Sequence, residues 1–276
     1  MKKIFILTLI LLIQTFPQSI YSPENVKKFA DYLFCTKDYL RAALEYQKYQ
    51  GISFNDTAQY KIGFSYSIIG NYQEAEKKLS EIPSSSDLYF QSKLELMKSI
   101  FLSKDYSKFR DEYKNLDSDN PGLRKLYNFS FLEDMIQLPN ENIFLKPFSN
   151  KEKNKAEKFY EFKNEPPYKS GLTASILSTI IPGAGKIYTD KISDGITSFI
   201  LVGLMTFLSV DNFNAHHKFR GWVFAGASAF FYAGNIYGSA ASAQIYNSQL
   251  DYKFSISINA YLKSNNYFLP EINFCK

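Results

Sequence analysis

Three groups of residues in this 276-residue chain are candidates for chemistry: the run Pro182-Gly183-Ala184-Gly185-Lys186, the pair His216-His217, and Cys35 with Cys275. A phosphate-binding loop needs a glycine separated by four residues from its Gly-Lys pair and a Ser or Thr directly after the lysine, so that backbone N–H groups cradle phosphate and a hydroxyl reaches magnesium. Ile180 and Ile187 occupy those two places, and the phosphate reading fails. Adjacent histidines point apart on a helix or strand, which argues against a shared metal or an acid–base pair at His216 and His217. The two cysteines lie far apart with no CxxC spacing, which speaks against a zinc site. A Cys35–Cys275 bridge is not expected either, even in an oxidising compartment, where disulfides persist. No catalytic, cofactor or metal constellation is expected.

The residues left to position are those of packing and of the membrane. The net charge is only +5 and the 17% aromatic content is Tyr and Phe with a single Trp. Charge is spread along the chain without a basic patch, so nucleic acid is not an expected partner. At the N-terminus Lys2 and Lys3 precede the apolar run Ile4 to Ile13 and then polar residues with Pro17. That is the order of a secretory signal peptide, and residues 1–22 are read as a signal peptide or N-terminal anchor that directs the repeats out of the cytoplasm.

From residue 23 to 145 the chain repeats. Asp38-Tyr39 with Ala42, Asn71-Tyr72 with Ala75, and Asp105-Tyr106 with Phe109 recur every 33 to 34 residues, each preceded by small or apolar positions: Ala30 and Leu33, Gly63 and Tyr66, Met97 and Ile100. Small residues at Ala30, Ala42, Gly63 and Ala75 let paired helices cross closely, while Tyr39, Tyr66, Tyr72 and Tyr106 fill gaps between pairs. The spacing resembles the tetratricopeptide repeat. That resemblance implies an α-solenoid whose inner face binds partner proteins. The third repeat departs from it, with Met97 and Phe109 at the small positions. A cap is expected around Gly122 to Met135.

Residues 146–168 alternate Lys and Glu and read as a charged, solvated helical linker ending at Pro166-Pro167. A membrane domain is expected over 169–248, with a half-depth or re-entrant helix 171–181 broken by Pro182-Gly183 and transmembrane helices 192–210 and 221–243. Gly234 and Gly238 form a GxxxG suited to packing on the preceding helix, with a homodimer through that face as the alternative. The pattern Pro182, Gly183, Gly185, Tyr188 followed by Asp194 and Gly195 resembles a membrane-hairpin motif of bacterial envelope proteins and, distantly, the TM2 hairpin domain. It implies membrane residence. The glycines allow a tight reversal, Tyr188 suits an interface, and Asp194 could cap the next helix. In the tail 249–276, Tyr252, Phe254, Ile256 and Ile258 alternate with strand period and could pair with 267–274 as a short β-hairpin.

The fold class expected is all-α, a tetratricopeptide-like solenoid followed by a transmembrane α-helical hairpin. The function expected is non-enzymatic: a scaffold of the bacterial inner membrane whose repeats bind proteins in the periplasm or elsewhere outside the cytoplasm and whose hairpin meets lipid. The alternative is a small transport or protein-insertion factor in which the Pro-Gly-x-Gly hairpin is the working part.

Overall fold

The computed structural model describes residues 21–116, 119–134, 136–268 and 272–275. The leader expected over 1–22 lies, but for its last two residues, outside them. Among the described residues the chain is helical without strands, in thirteen helices. Contacts divide the chain into two units, one made of residues up to 148 together with those from 266 onward, the other of 149–265.

The first unit is a run of helix pairs: α1 (Pro23–Cys35), α2 (Tyr39–Gln50), α3 (Asp56–Ile68), α4 (Tyr72–Ser80), α5 (Tyr89–Leu102), α6 (Tyr106–Asn115), then α7 (Pro121–Glu133) and the short α8 (Glu141–Leu145). Three of its turns share one local chemistry. A residue in the left-handed region closes the first helix of each pair (Lys37 at φ 65°, Gly70 at 82°, Lys104 at 66°), and the next residue caps the second. Asp38, Asn71 and Asp105 accept from the backbone N–H of Arg41, Glu74 and Lys108. Short-side-chain oxygens are the preferred acceptors for such orphan N–H groups, so the cap residue fixes where each second helix begins. Elsewhere Ser22 and Asn120 cap helices that open on proline, whose missing N–H costs nothing there.

From α1 to α7 consecutive helices pack together, and α5 touches both α3 and α7. Ala30, Ala42 and Ala75 are fully buried at these crossings. At Gly63 a side chain would meet Leu79 of α4, with a Cβ only 2.6 Å from Leu79 Cγ, so glycine sets the α3–α4 approach. Met97 and Phe109 are buried too, which shows how the third pair fills the volume the smaller residues leave elsewhere. Arg110 fastens that pair to α7, donating to the Ser130 carbonyl at 3.2 Å and to Asp134 at 2.6 Å. Asn128 of α7 in turn donates to the Phe144 carbonyl of α8.

The second unit contains α9 (Asn150–Asn164), α10 (Gly171–Ile180), the short α11 (Ala184–Tyr188), α12 (Ile192–Asn214) and α13 (Lys218–Ser264). The charged segment expected as a linker is α9, opened by a Ser149–Glu152 capping box. It is not wholly solvated. Ala156 and Phe159 are buried, and Phe159 and Phe162 pack on Phe254 of α13, so the segment belongs to the second unit.

The expected β-hairpin is overturned, because α13 runs unbroken through residues 252–264. Phe254, Ile258 and Leu262 are also spaced i, i+4, i+8. That spacing gathers them on one helical face, where Ile258 and Leu262 are fully buried. No Gly or Pro interrupts 239–268 to end the helix. By length and apolar composition one described helix, α12, suffices to cross a membrane. The stretch 221–243, expected to be a second such span, falls short because its many Gly, Ser and Tyr residues and Asn235 dilute the hydropathy.

Candidate interaction groove and hairpin core

In the second unit the glycines sit where backbone meets backbone. A Cβ on Gly183 would lie 2.0 Å from the Gly195 carbonyl oxygen, and one on Gly185 would lie 1.9 Å from that of Ala174. Gly195 is limited in turn by the Gly183 carbonyl and by the Ile187 side chain. The spaced glycines of the Pro-Gly-x-Gly motif and its Asp-Gly partner therefore press α10, α11 and the start of α12 together. Gly183, at φ 88°, also makes the reversal after Ile181-Pro182.

Proline at 182 removes the N–H that would have bonded to the Ser178 carbonyl, and the reversal takes the Gly183 N–H away from the Thr179 carbonyl. Two α13 side chains repair the break. Asn235 accepts from Gly183 N at 3.1 Å and donates to the Ser178 carbonyl at 3.4 Å, and the Tyr232 hydroxyl donates to the Thr179 carbonyl at 2.6 Å. Ser178 Oγ completes the network, accepting from Gly185 N at 2.9 Å and lying 2.7 Å from Ser239 Oγ. Sequence reasoning singles out Asn235, with Gln244, only as a polar residue at the expected second span, and misses Tyr232 and the bonds of both Asn235 and Tyr232 to the break. The signal that could have made the link is an amide within an apolar stretch of a chain that also carries a proline break.

Among the other motif residues, Tyr188 accepts from Ser170 N at 3.4 Å, and the Lys169 ammonium lies 4.7 Å from its ring. Asp194 does not cap α12, whose N-cap is Lys191. It lies in the first turn, where its charge still complements the helix dipole. Gly238 faces the Lys186 side chain and Gly234 faces open space, so Gly234 carries no packing on α12. That contact is made elsewhere, by Thr206 with Ser228 at 2.7 Å, by Ser209 donating to the Gly221 carbonyl, and by Phe213 against Gly221. Outside the apolar stretches, Tyr168 donates to Asp251, and this bond together with partial burial pushes its pKa up to about 12.

In the first unit the repeat residues lie in the core or at its edge. Tyr66 is buried and accepts from Gln47, while Tyr39 and Tyr106 pack edge-on against Phe34 and Phe101. The half-buried Tyr72 begins α4 directly after its cap. Asp31 of α1 ties three helices: it pairs with Lys27, accepts from the Tyr46 hydroxyl of α2, and forms a 2.5 Å ion pair with the buried Lys61 of α3. Partial burial pushes the Asp31 carboxyl up, but hydrogen bonds from Lys61, Tyr46 and Lys27 outweigh it and hold it below the usual carboxylate range. Burial and the bond to Asp31 drive the Tyr46 hydroxyl far above an ordinary tyrosine.

The least expected feature is the tail. Tyr267 lies 6.1 Å from Phe129 of α7, Phe268 lies 6.0 Å from Phe101 of α5, and Phe274 lies 5.5 Å from Tyr60 of α3 and 6.4 Å from Phe34 of α1. Cys275 then forms a disulfide with Cys35 at the end of α1. The tail thus packs on the first helix of each pair and on α7 in reverse chain order. Nothing in the spacing of two cysteines 240 residues apart points to their pairing.

No protein-family model, curated protein or solved structure matches this chain.

Proposed function

We propose that the chain is a membrane-anchored protein-interaction scaffold of the bacterial cell envelope, with tetratricopeptide-like repeats outside the cytoplasm and a hairpin in the inner membrane. The observation that carries this reading is the polarity of the second unit. Ser178 and Ser239 are 0% exposed and Asn235 3%, while Leu172, Phe207 and Phe230 are 73%, 65% and 75% exposed. A protein in water folds the other way round. In hydrocarbon the arrangement is favourable, because backbone groups freed by a helix break must be satisfied inside the protein. Only 11% of the most apolar window of α12 is buried, unlike the core helix of a soluble protein.

The disulfide supports a two-crossing hairpin. Cys35 precedes the apolar segments and Cys275 comes after them, so their covalent bond requires an even number of crossings between. With α12 as one crossing, the N-terminal half of α13 supplies the return. Lys218 and Arg220 beside the connecting turn agree with a cytoplasmic loop. A disulfide itself persists in compartments outside the cytoplasm. A second reading, a small transport or insertion factor, draws on the buried Asn235–Ser178–Ser239 network, since polar groups inside a membrane often mark a pathway. Here those groups bond to one another and to the broken backbone, which favours the scaffold.

Affinity purification from detergent-solubilised membranes tests the proposal. Partners recovered with the full chain and lost on deleting residues 24–135 are the expected result. The same partners recovered without the repeats would contradict it and favour the hairpin as the working part.

A further inference from the structure

We infer that the C-terminal tail, through Tyr267, Phe268 and Phe274, is an internal ligand for the repeat groove, held there by a reducible Cys35–Cys275 latch, and that the groove's external partner is an extended peptide bearing similarly spaced aromatic side chains. This deepens the scaffold reading and rests on it. The tail itself shows what the groove takes. Phe274 is received by Phe34 and Tyr60, with the Lys61 ammonium 5.1 Å from its ring, and Tyr267 lies beneath the Lys125 ammonium at 5.9 Å. Aromatic pairs and ring–cation contacts of this kind add to the apolar burial. Recognition is therefore by ring packing on successive first helices.

The tail does not fill the groove. A cavity of about 440 Å³ lies beside it, walled by Tyr39, Phe64, Ile68 and Ile272 among others. A partner with one further large apolar side chain would bury surface that the tail leaves open, and could displace an unlatched tail. The latch is accessible, because Cys35 and Cys275 both lie at the surface. Exposed disulfides are the exchangeable ones. A dithiol reductant acts by thiolate attack on Cys275 Sγ, with Cys35 leaving as a thiolate that then takes a proton. The reductant's second thiol attacks the mixed disulfide and releases Cys275. Two electrons pass, the reductant ends as its disulfide, and both cysteines end as thiols. The freed tail stays tethered, so it still competes at an effective concentration on the order of millimolar. Reduction therefore converts a closed groove into one open to competition.

The test uses the purified full chain in detergent micelles and a labelled peptide of residues 266–275 with Cys275→Ser, with binding read by fluorescence anisotropy. Reduction with dithiothreitol should tighten peptide binding at least about tenfold, and the full chain carrying Phe274→Ala and Cys275→Ser should bind tightest because its own tail competes least. A peptide also lacking the Phe274 ring should bind at least about tenfold more weakly to that variant. Equal affinity for oxidised and reduced chain, indifference to the peptide's Phe274, or no binding by the double variant with native circular dichroism would each overturn the inference. Failure of the scaffold reading is distinguishable, since it appears as an absence of repeat-dependent partners and leaves the peptide measurement unchanged.

Discussion

Gly185→Ala is expected to lower the thermal midpoint of the second unit by at least about 10 °C in detergent, followed through Trp222 fluorescence, whereas Gly234→Ala is expected to leave it unchanged or raise it slightly. The two glycines belong to one unit and differ in what a methyl group would meet. At Gly185 the new carbon would lie 1.9 Å from the Ala174 carbonyl oxygen and 2.7 Å from Ser178 Oγ. The first obstacle is backbone, so α10 and α11 would have to separate. Overpacking of this kind costs about 1–3 kcal/mol. Separation would also strain the Gly185 N–H bond to Ser178 and the Ser178–Ser239 contact, and unsatisfied buried polar groups cost about 1–3 kcal/mol more. Together these amount to about 4 kcal/mol, close to a thousandfold in the folding equilibrium. Gly234 faces open space within a helix, where alanine is favoured by up to about 1 kcal/mol. If Gly234→Ala proved the more damaging change, the GxxxG face would be a contact with a second copy of the chain.

Asp31→Ala should destabilise the first unit by about 3 kcal/mol near neutral pH. Removing one partner of a buried ion pair costs about 3–5 kcal/mol, because the surviving charge is left uncompensated. Lys61 has a side chain only 6% exposed, but that of Asp31 is 32% exposed and water screens part of the loss, which places the effect at the lower end. The Tyr46 hydroxyl loses its acceptor as well. The direction of the Asp31 shift sets the pH dependence. Its folded pKa lies below its unfolded value, so its contribution is present in full above about pH 4 to 5 and is lost as pH falls through the folded pKa. Unfolding profiles of wild type and Asp31→Asn should therefore differ most near neutrality and converge in acid. A gap that stayed constant down to about pH 2 would show that the carboxylate charge is not what ties α1 to α3.

The parts of this molecule legible in its sequence are those written locally. Asp38, Asn71 and Asp105 mark the starts of α2, α4 and α6 because a cap bonds three residues ahead, within reach of any reading of spacing. The Pro182-Gly183 break is equally visible, and the half-length helix before it ends at Ile180 as the proline requires. That Asn235 and Tyr232 repair the break is not visible, although Asn235 stands out as a polar residue in an apolar stretch. Both lie far along the chain from the break, and only folding brings them to the Ser178 and Thr179 carbonyls.

Residues 252–258 mislead because aromatic and aliphatic side chains at alternate positions satisfy a strand period while Phe254, Ile258 and Leu262 also satisfy a helical one. Burial on a helical neighbour decides between them. The tail is the extreme case. Tyr267, Phe268 and Phe274 have no periodic signature, and the disulfide that completes their path joins residues near opposite ends of the chain.

A two-crossing hairpin would leave repeats and tail together outside the cytoplasm, and single-cysteine accessibility is the sharpest check of that topology. In a Cys35→Ser/Cys275→Ser background, Ser107→Cys at an exposed position of α6 and His217→Cys in the exposed turn between α12 and α13 would be treated with a membrane-impermeant maleimide in intact spheroplasts. Labelling of Ser107→Cys before lysis and of His217→Cys only after lysis is expected. Labelling of both before lysis, or of His217→Cys alone, would contradict it.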